Sequence, residues 1–304
     1  MNFKQKFEPK GNKILHGAGQ SIEQFKKYWE VVKGNNPLIY MVYAKIDTLI
    51  DKLPKRIKEL QEISYDLIPQ IGLTFVSKTK GNQCKEIILG QYDKEINFLI
   101  NYLKEIKTPV FIRLGYEFNE PGKYNAEDFI LTWKYLVDLF KKNKVTNVAF
   151  VWCACTAFSR DLSQIMSYYP GDNYVDWFGN DLFSARHFKN NSDALTEEFA
   201  KEAETHKKPL MIGESSAART GVEKGEESWQ EWFNPYFKWI NTHNVVKAFC
   251  YINWDWAKDW KQPEWGNCRI EENEVISKKY AEEMKNKRYL HYQKMEELLE
   301  KLYY

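Results

Sequence analysis

Apolar positions along the chain come in two alternating periods. Short stretches such as 37–44 (Pro-Leu-Ile-Tyr-Met-Val-Tyr-Ala) are apolar almost throughout, the pattern of a strand buried on both faces. Longer stretches such as 92–106 repeat apolar residues every three or four positions, which gathers them on one face of a helix. The strand pattern falls at 13–18, 37–44, 66–76, 109–118, 147–155, 175–183, 209–214 and 246–254. Helices are predicted at 22–33 with Ser21 as N-cap, at 53–62, at 92–106, and at 126–142 with Asn125 as N-cap. A short helix at 162–168 follows, then 195–206, 228–242 and a last one from 277 toward the C-terminal region.

Eight strand–loop–helix units in 304 residues predict an α/β protein, a (β/α)8 TIM barrel forming a single domain over 1–304. A doubly wound open sheet is the alternative. Gly17-Ala18-Gly19-Gln20-Ser21 looks like its phosphate turn, but the spacing is not G-x-G-x-x-G and no acidic residue ends the second strand. The Glu/Lys-rich stretch 289–302 reads as an outer packing helix rather than a coiled-coil surface.

Charge narrows the partners. The 44 basic and 42 acidic side chains leave a net charge of +2, with lysines scattered over the helices, so no nucleic acid is expected. No apolar run reaches membrane-spanning length, so no membrane partner is expected either. The first residues lack an apolar signal core, which fits a cytoplasmic protein or a mature secreted one. A monomer is expected. Five cysteines are an odd number without zinc spacing; Cys153 and Cys155 share one face of a strand and read as core. The aromatic content is 16%, with 11 Trp and 19 Tyr, which suits a wet cleft with apolar walls.

Candidate chemistry sits where two strands end. In a barrel, active groups come from the C-terminal strand ends and the loops after them. Glu117 ends Pro-Val-Phe-Ile-Arg-Leu-Gly-Tyr-Glu, and Glu214 ends Pro-Leu-Met-Ile-Gly-Glu. Two carboxyls at one mouth are the apparatus for cutting a glycosidic bond, about 5–5.5 Å apart for retention and about 6.5–9.5 Å for inversion. Glu117, between Tyr116 and Phe118, suits the acid/base, which burial must keep protonated. Glu214, followed by Ser215 and Ser216, suits the ionised nucleophile. Arg113, four positions before Glu117, shares its inward parity if the strand is regular; it either pairs with a catalytic carboxylate or forms a salt bridge in the barrel floor.

These residues resemble those of the clan A glycoside hydrolases, and most of all the family 26 group of mannanases and related enzymes. The resemblance is carried by 113–119 (Arg-Leu-Gly-Tyr-Glu-Phe-Asn), 175–183 (Val-Asp-Trp-Phe-Gly-Asn-Asp-Leu-Phe), 208–214 (Lys-Pro-Leu-Met-Ile-Gly-Glu) and 251–256 (Tyr-Ile-Asn-Trp-Asp-Trp). It implies that Glu117 is the acid/base and Glu214 the nucleophile; no cofactor is expected, and no metal, since His16 and His187 lack the spacing of a metal pair and a third ligand. It also implies a retaining, endo-acting enzyme on β-1,4-mannan, with xylan, mixed-linkage glucan or a silent sugar-binding barrel as alternatives. The chain departs from the family at Tyr116, where His or Asn is usual, at Phe183, where a Tyr is common, and at 73–76, where a His is expected.

The remaining candidates concern the sugar. Trp254 resembles the tryptophan that floors the cleavage subsite, and Trp256 follows it. Tyr116, Asn119 and Tyr124 follow strand four, His16 and His187 follow strands one and six, and Asn253 flanks Trp254; each is a candidate hydroxyl contact. Asp181 is read as ordering the strand-six loop, or as an outward salt bridge. Trp152 reads as core, and a capped loop is the plainer account of Asn253 and Asp255.

Overall fold

The computed structural model describes residues 2–19, 21–77, 79–188 and 195–304; Gln20 of the glycine-containing turn lies outside them. Eight strands run parallel in chain order: β1 (Ile14–Gly19), β2 (Ile39–Lys45), β3 (Ile68–Thr74), β4 (Val110–Leu114), β5 (Val148–Ala154), β6 (Trp177–Leu182), β7 (Leu210–Ser215) and β8 (Val246–Ile252). Each pairs with the next, and β8 pairs with β1, so the sheet closes into a barrel. Closure gives each of these eight strands a neighbour on both sides, and helices cover the outside, which is why the strands read as apolar on both faces.

The helices between and after the strands include α1 (Ile22–Val31), α2 (Leu49–Ile63), α3 (Asp93–Glu105), α4 (Ala126–Lys142), α5 (Leu162–Met166), α6 (Thr196–Thr205), α7 (Asn234–Thr242) and α8 (Glu274–Glu283). The Ser21 hydroxyl accepts the Gln24 N–H, and the Asn125 side chain accepts the Asp128 N–H, so both predicted caps form. One π-helical turn, Trp229–Phe233, leads into α7.

Two expectations fail for backbone reasons. The strand pattern at 109–118 stops at Leu114, because Gly115 (φ 57°) and Glu117 (φ 49°) take left-handed conformations that turn the chain. Strand parity therefore does not carry from Arg113 to Glu117. The stretch 289–302 is not one helix. Tyr289–Leu290 forms a short strand, β9, beside Ile14 and Leu15, and only Met295–Leu299 is helical. The start of β1 is the reason. Its pairing with β2 begins only at Gly17, which leaves ladder groups at its start needing partners. The Ile14 N–H finds Arg288 O at 2.8 Å, and β9 continues that ladder.

The bottom of the barrel is sealed by the chain's two end segments. Phe7 N–H donates to Tyr303 O, Tyr303 N–H donates to Glu8 O, and the buried Phe7 ring packs edge-on against Phe111 and Tyr304. Above this seal the interior is partly polar. Gln70 of β3 donates to Gly213 O (2.8 Å) and lies against Met211 and Cys250. The mouth stands above that layer.

Candidate active site

Arg113 is the centre of the site. It is fully buried in β4, and its guanidinium reaches across the barrel. Nη1 donates to both Asp181 oxygens (3.1 and 3.0 Å), and Nη2 donates to Glu214 Oε1 at 2.6 Å. Both alternatives posed for Arg113 hold together: one arm forms the floor salt bridge and the other holds a candidate catalytic carboxylate. A buried guanidinium without counter-charges would be very costly; two carboxylates supply them in the directions its planar fork requires.

Asp181 therefore points into the barrel, not outward. Burial pushes its carboxyl up to about 7, against the pull of Arg113. The Cys153 thiol donates to Asp181 Oδ1 (3.2 Å) and lies 3.6 Å from Arg113 Nη1, so this cysteine belongs to the polar layer.

A bulge aims Glu214. Along the β6–β7 ladder Asn180 faces Ile212, but Asp181 already faces Glu214, so Gly213 is the extra residue. Gly213 sits against the inner cluster: a Cβ there would lie 2.7 Å from Asp181 Oδ1 and 2.9 Å from Cys153 Sγ. The slip by one residue turns Glu214 inward. It turns Ser215 outward, where its hydroxyl meets Tyr236 of α7 (2.8 Å) and donates to Cys250 O. Ser216 bonds Ile252 O. The polar group that meets Glu214 is thus Arg113, not the serines expected from the sequence.

Glu117 arrives by a turn. Its N–H donates to Cys153 O (2.8 Å), which fixes the loop across the end of β5. The side chain is half-buried. Burial, then the charges of Asp181 and Glu214, push its carboxyl well above the usual range, opposed by Lys123 and Arg113. The shift favours the protonated form, the state in which a carboxyl can give a proton.

Tyr116 lies between two cations. The Arg113 guanidinium is 4.8 Å from its ring centre and Lys123 Nζ is 4.9 Å from it. Lys123 also donates to Tyr116 O (2.9 Å) and pairs with Glu120 (3.2 Å). Trp254, half-buried just after β8, has an indole N–H without a protein partner among the described residues. Trp256 supports the wall: its N–H donates to Ser216 Oγ (2.9 Å), and its ring packs against Phe183 and Trp265.

The other expected contacts are occupied elsewhere. His16 points out of the barrel, bonded to Tyr28 of α1 (2.6 Å) and to His291 (3.0 Å), so it faces no substrate. His187 is buried against Thr196 of α6, and burial lowers its ring to about 3. Asn119 braces the loops after β4 and β5, donating to Cys155 O and Ser159 Oγ and accepting from Cys155 N–H. The Tyr124 hydroxyl accepts the Phe75 N–H and meets Thr74. Asn253 bonds Gln24 O, Glu271 and the Ile270 N–H. Asp255 caps a short turn at Lys258 and pairs with Arg269. Trp152 stacks on Phe118 in the core.

Sequence reasoning missed Tyr43 and Lys123. Tyr43 had a signal: it stands two positions after Met41, near the mouth end of β2, so alternation puts both on one face. Its ring lies 5.8 Å from that of Tyr116 and 5.8 Å from the Arg113 guanidinium. Lys123 had none, since its position depends on the path of a loop.

A (β/α)8 barrel with one carboxyl after β4 and another on β7, the second held by a buried arginine, resembles the clan A glycoside hydrolases. Residues 61–205 match the model of glycosyl hydrolase family 26. Two curated β-1,3-xylanases are similar in sequence. The one from Vibrio sp is 28% identical over 241 residues, 71% of this chain and 52% of the relative. The one from Alcaligenes sp is 28% identical over 253 residues, 75% and 53%. This chain thus spans about half the length of either. The catalytic domain of a family 26 endo-β-1,4-mannanase from Bacillus sp. JAMB-750 shares the fold, with a TM-score of 0.66, 16% identity and coverage of 92% and 87% of the two chains. Over residues 61–205 the chain is thus similar to glycosyl hydrolase family 26, and it shares its fold with a family 26 mannanase.

Proposed function

We propose that this protein hydrolyses a β-linked polysaccharide with retention of configuration, and that the polysaccharide is β-1,3-xylan. One observation carries the chemistry: of the two carboxyls at the mouth, Glu117 is pushed toward its protonated form while Glu214 accepts a 2.6 Å hydrogen bond from a buried guanidinium. Environments that differ in this way support Glu117 as the acid and Glu214 as the nucleophile.

Glu214 attacks the anomeric carbon while Glu117 gives its proton to the leaving oxygen, forming a glycosyl ester on Glu214. Glu117, now a carboxylate, takes a proton from water, which attacks the same carbon and releases Glu214. Arg113 keeps Nη2 on Glu214 through both steps, fixing the carboxylate's orientation.

The choice of β-1,3-xylan rests on the names of the two curated relatives and on Tyr116 and Phe183, which depart from the mannanase pattern. β-1,4-Mannan is the second reading, supported by the family 26 mannanases that share the fold. Hydrolysis of β-1,3-xylan, β-1,4-xylan, β-1,4-mannan and mixed-linkage glucan, measured by reducing ends, separates them. Proton NMR of the first-formed product should show the β-anomer. E214A and E117Q should each lower turnover by orders of magnitude, about 10³-fold or more, with the fold intact. Near-wild-type turnover by either variant overturns the role assignments.

A further inference from the structure

Tyr43 has no role in the chemistry just described, yet its surroundings are those of a working group. Its ring stands on β2 at the mouth, edge-on to Tyr116 and beside the Arg113 guanidinium. Its hydroxyl oxygen is buried and has no hydrogen-bond partner among the described residues. A buried hydroxyl left without a partner is destabilising, so its retention beside a charged site needs another explanation.

The backbone leaves room for this arrangement. Tyr43 is directly opposite Gly72 in the β2–β3 register. A Cβ at Gly72 would lie 3.1 Å from the Tyr116 ring and 3.2 Å from Arg113 Nη2. Glycine thus lets the two tyrosines converge on the arginine that holds Glu214. Burial, and then the charge of Glu214, hold the Tyr43 phenol well above its ordinary range, so it stays a donor across the working pH range. A donor beside the nucleophile with no protein acceptor is placed for an acceptor that arrives with the substrate.

We propose that the Tyr43 hydroxyl donates a hydrogen bond to an oxygen of the sugar seated against Glu214, and so is a substrate-contacting catalytic residue of this site. The proposal rests on the glycan-hydrolase reading above. Hydrogen bonds to the 2-hydroxyl of the reacting sugar strengthen in the transition state, so a donor at this place contributes to the rate and not only to binding. Trp254, whose indole N–H is likewise without a protein partner among the described residues, supplies the apolar face on which that sugar rests.

Y43F removes one oxygen and nothing else. We expect kcat/KM on the best polysaccharide to fall roughly 10–100-fold, the range for losing one transition-state hydrogen bond. Thermal stability should stay level or rise, because the lost oxygen bonds no protein group. A residue with a merely structural role gives the opposite pair: a lower Tm, and activity that returns on cooling. Oligosaccharide binding to E117Q and to E117Q/Y43F, measured calorimetrically with β-1,3-xylo-oligosaccharides and manno-oligosaccharides, reads the same contact without turnover. Weaker binding by the double variant supports it. Unchanged kcat/KM together with unchanged binding overturns it. If the wild-type protein hydrolyses nothing but E117Q binds an oligosaccharide, the hydrolase reading fails and the Tyr43 contact is judged by binding alone. If neither protein binds, both fall.

Discussion

Glu117 takes a left-handed backbone conformation, φ 49°, which a non-glycine side chain adopts at a cost. The cost falls where the chain leaves β4, and it aims a carboxyl at the mouth. Lys123 opposes the neighbouring carboxylates that push Glu117 up. Removing that cation by K123M should raise the Glu117 pKa further. In the proposed mechanism kcat/KM requires Glu117 protonated in the free enzyme, so its basic limb should move to higher pH, and K123R should restore it. A pH–rate profile checks this; an unmoved basic limb would contradict it. At this scale the sequence was legible for residue types and not for directions. Glu117, Glu214, Arg113, Tyr116 and Trp254 are at the mouth as expected. His16 and His187 follow the same strand-end logic but point into packing, because nothing in a linear pattern distinguishes a polar group facing a cleft from one satisfied by a neighbouring helix.

Among the elements, β7 decides the most. A regular strand that places Met211 and Gly213 inward would send Glu214 outward; the bulge at Gly213 reverses it. A side chain at 213 meets Asp181, Cys153 and Arg113, all within 3.0 Å of its Cβ. G213A should therefore cost about 1–3 kcal/mol by overpacking. It should also lower activity by displacing the guanidinium from Glu214. Denaturant unfolding and turnover, measured together, test both parts; a variant with wild-type stability would show that the cluster yields more easily than its packing suggests. The helix 126–142 was predicted to the residue because cap and periodicity are both local. Strand β9 was not, because its cause is distant: the unpaired start of β1 draws in residues far along the chain that, taken alone, have a helical composition.

At the scale of the molecule, β9 brings His291 to His16 and ties the C-terminal segment to the barrel wall. The Tyr28 hydroxyl donates to Tyr280 and so accepts from His16 Nε2–H, which leaves His16 Nδ1 to accept from His291. Every ring nitrogen of His16 is used in the neutral state. Burial lowers His291 to about 4 and His16 well below its ordinary value, the latter with help from His291. The unfolded chain, with histidines near 6.5, then binds more protons than the fold between about pH 6.5 and 4, so these groups cost stability as pH falls through that window. The raised carboxyls of Asp181 and Glu117 act in the opposite sense, because there the fold holds the proton more tightly than the unfolded chain does. H291Q should accordingly lose less stability than the wild type between pH 6.5 and 4, read as Tm against pH; parallel curves would contradict it. What the sequence alone determined was the alternation of strands and helices, hence the barrel, and the placing of two glutamates at ends of its strands, because burial periodicity and capping act within a few residues. Which side chains meet was decided only by closure of the barrel. The inward turn of Glu214, the reach of Arg113 to two carboxylates from different strands, and the open hydroxyl of Tyr43 each depend on register between strands, and register is a property of the whole sheet.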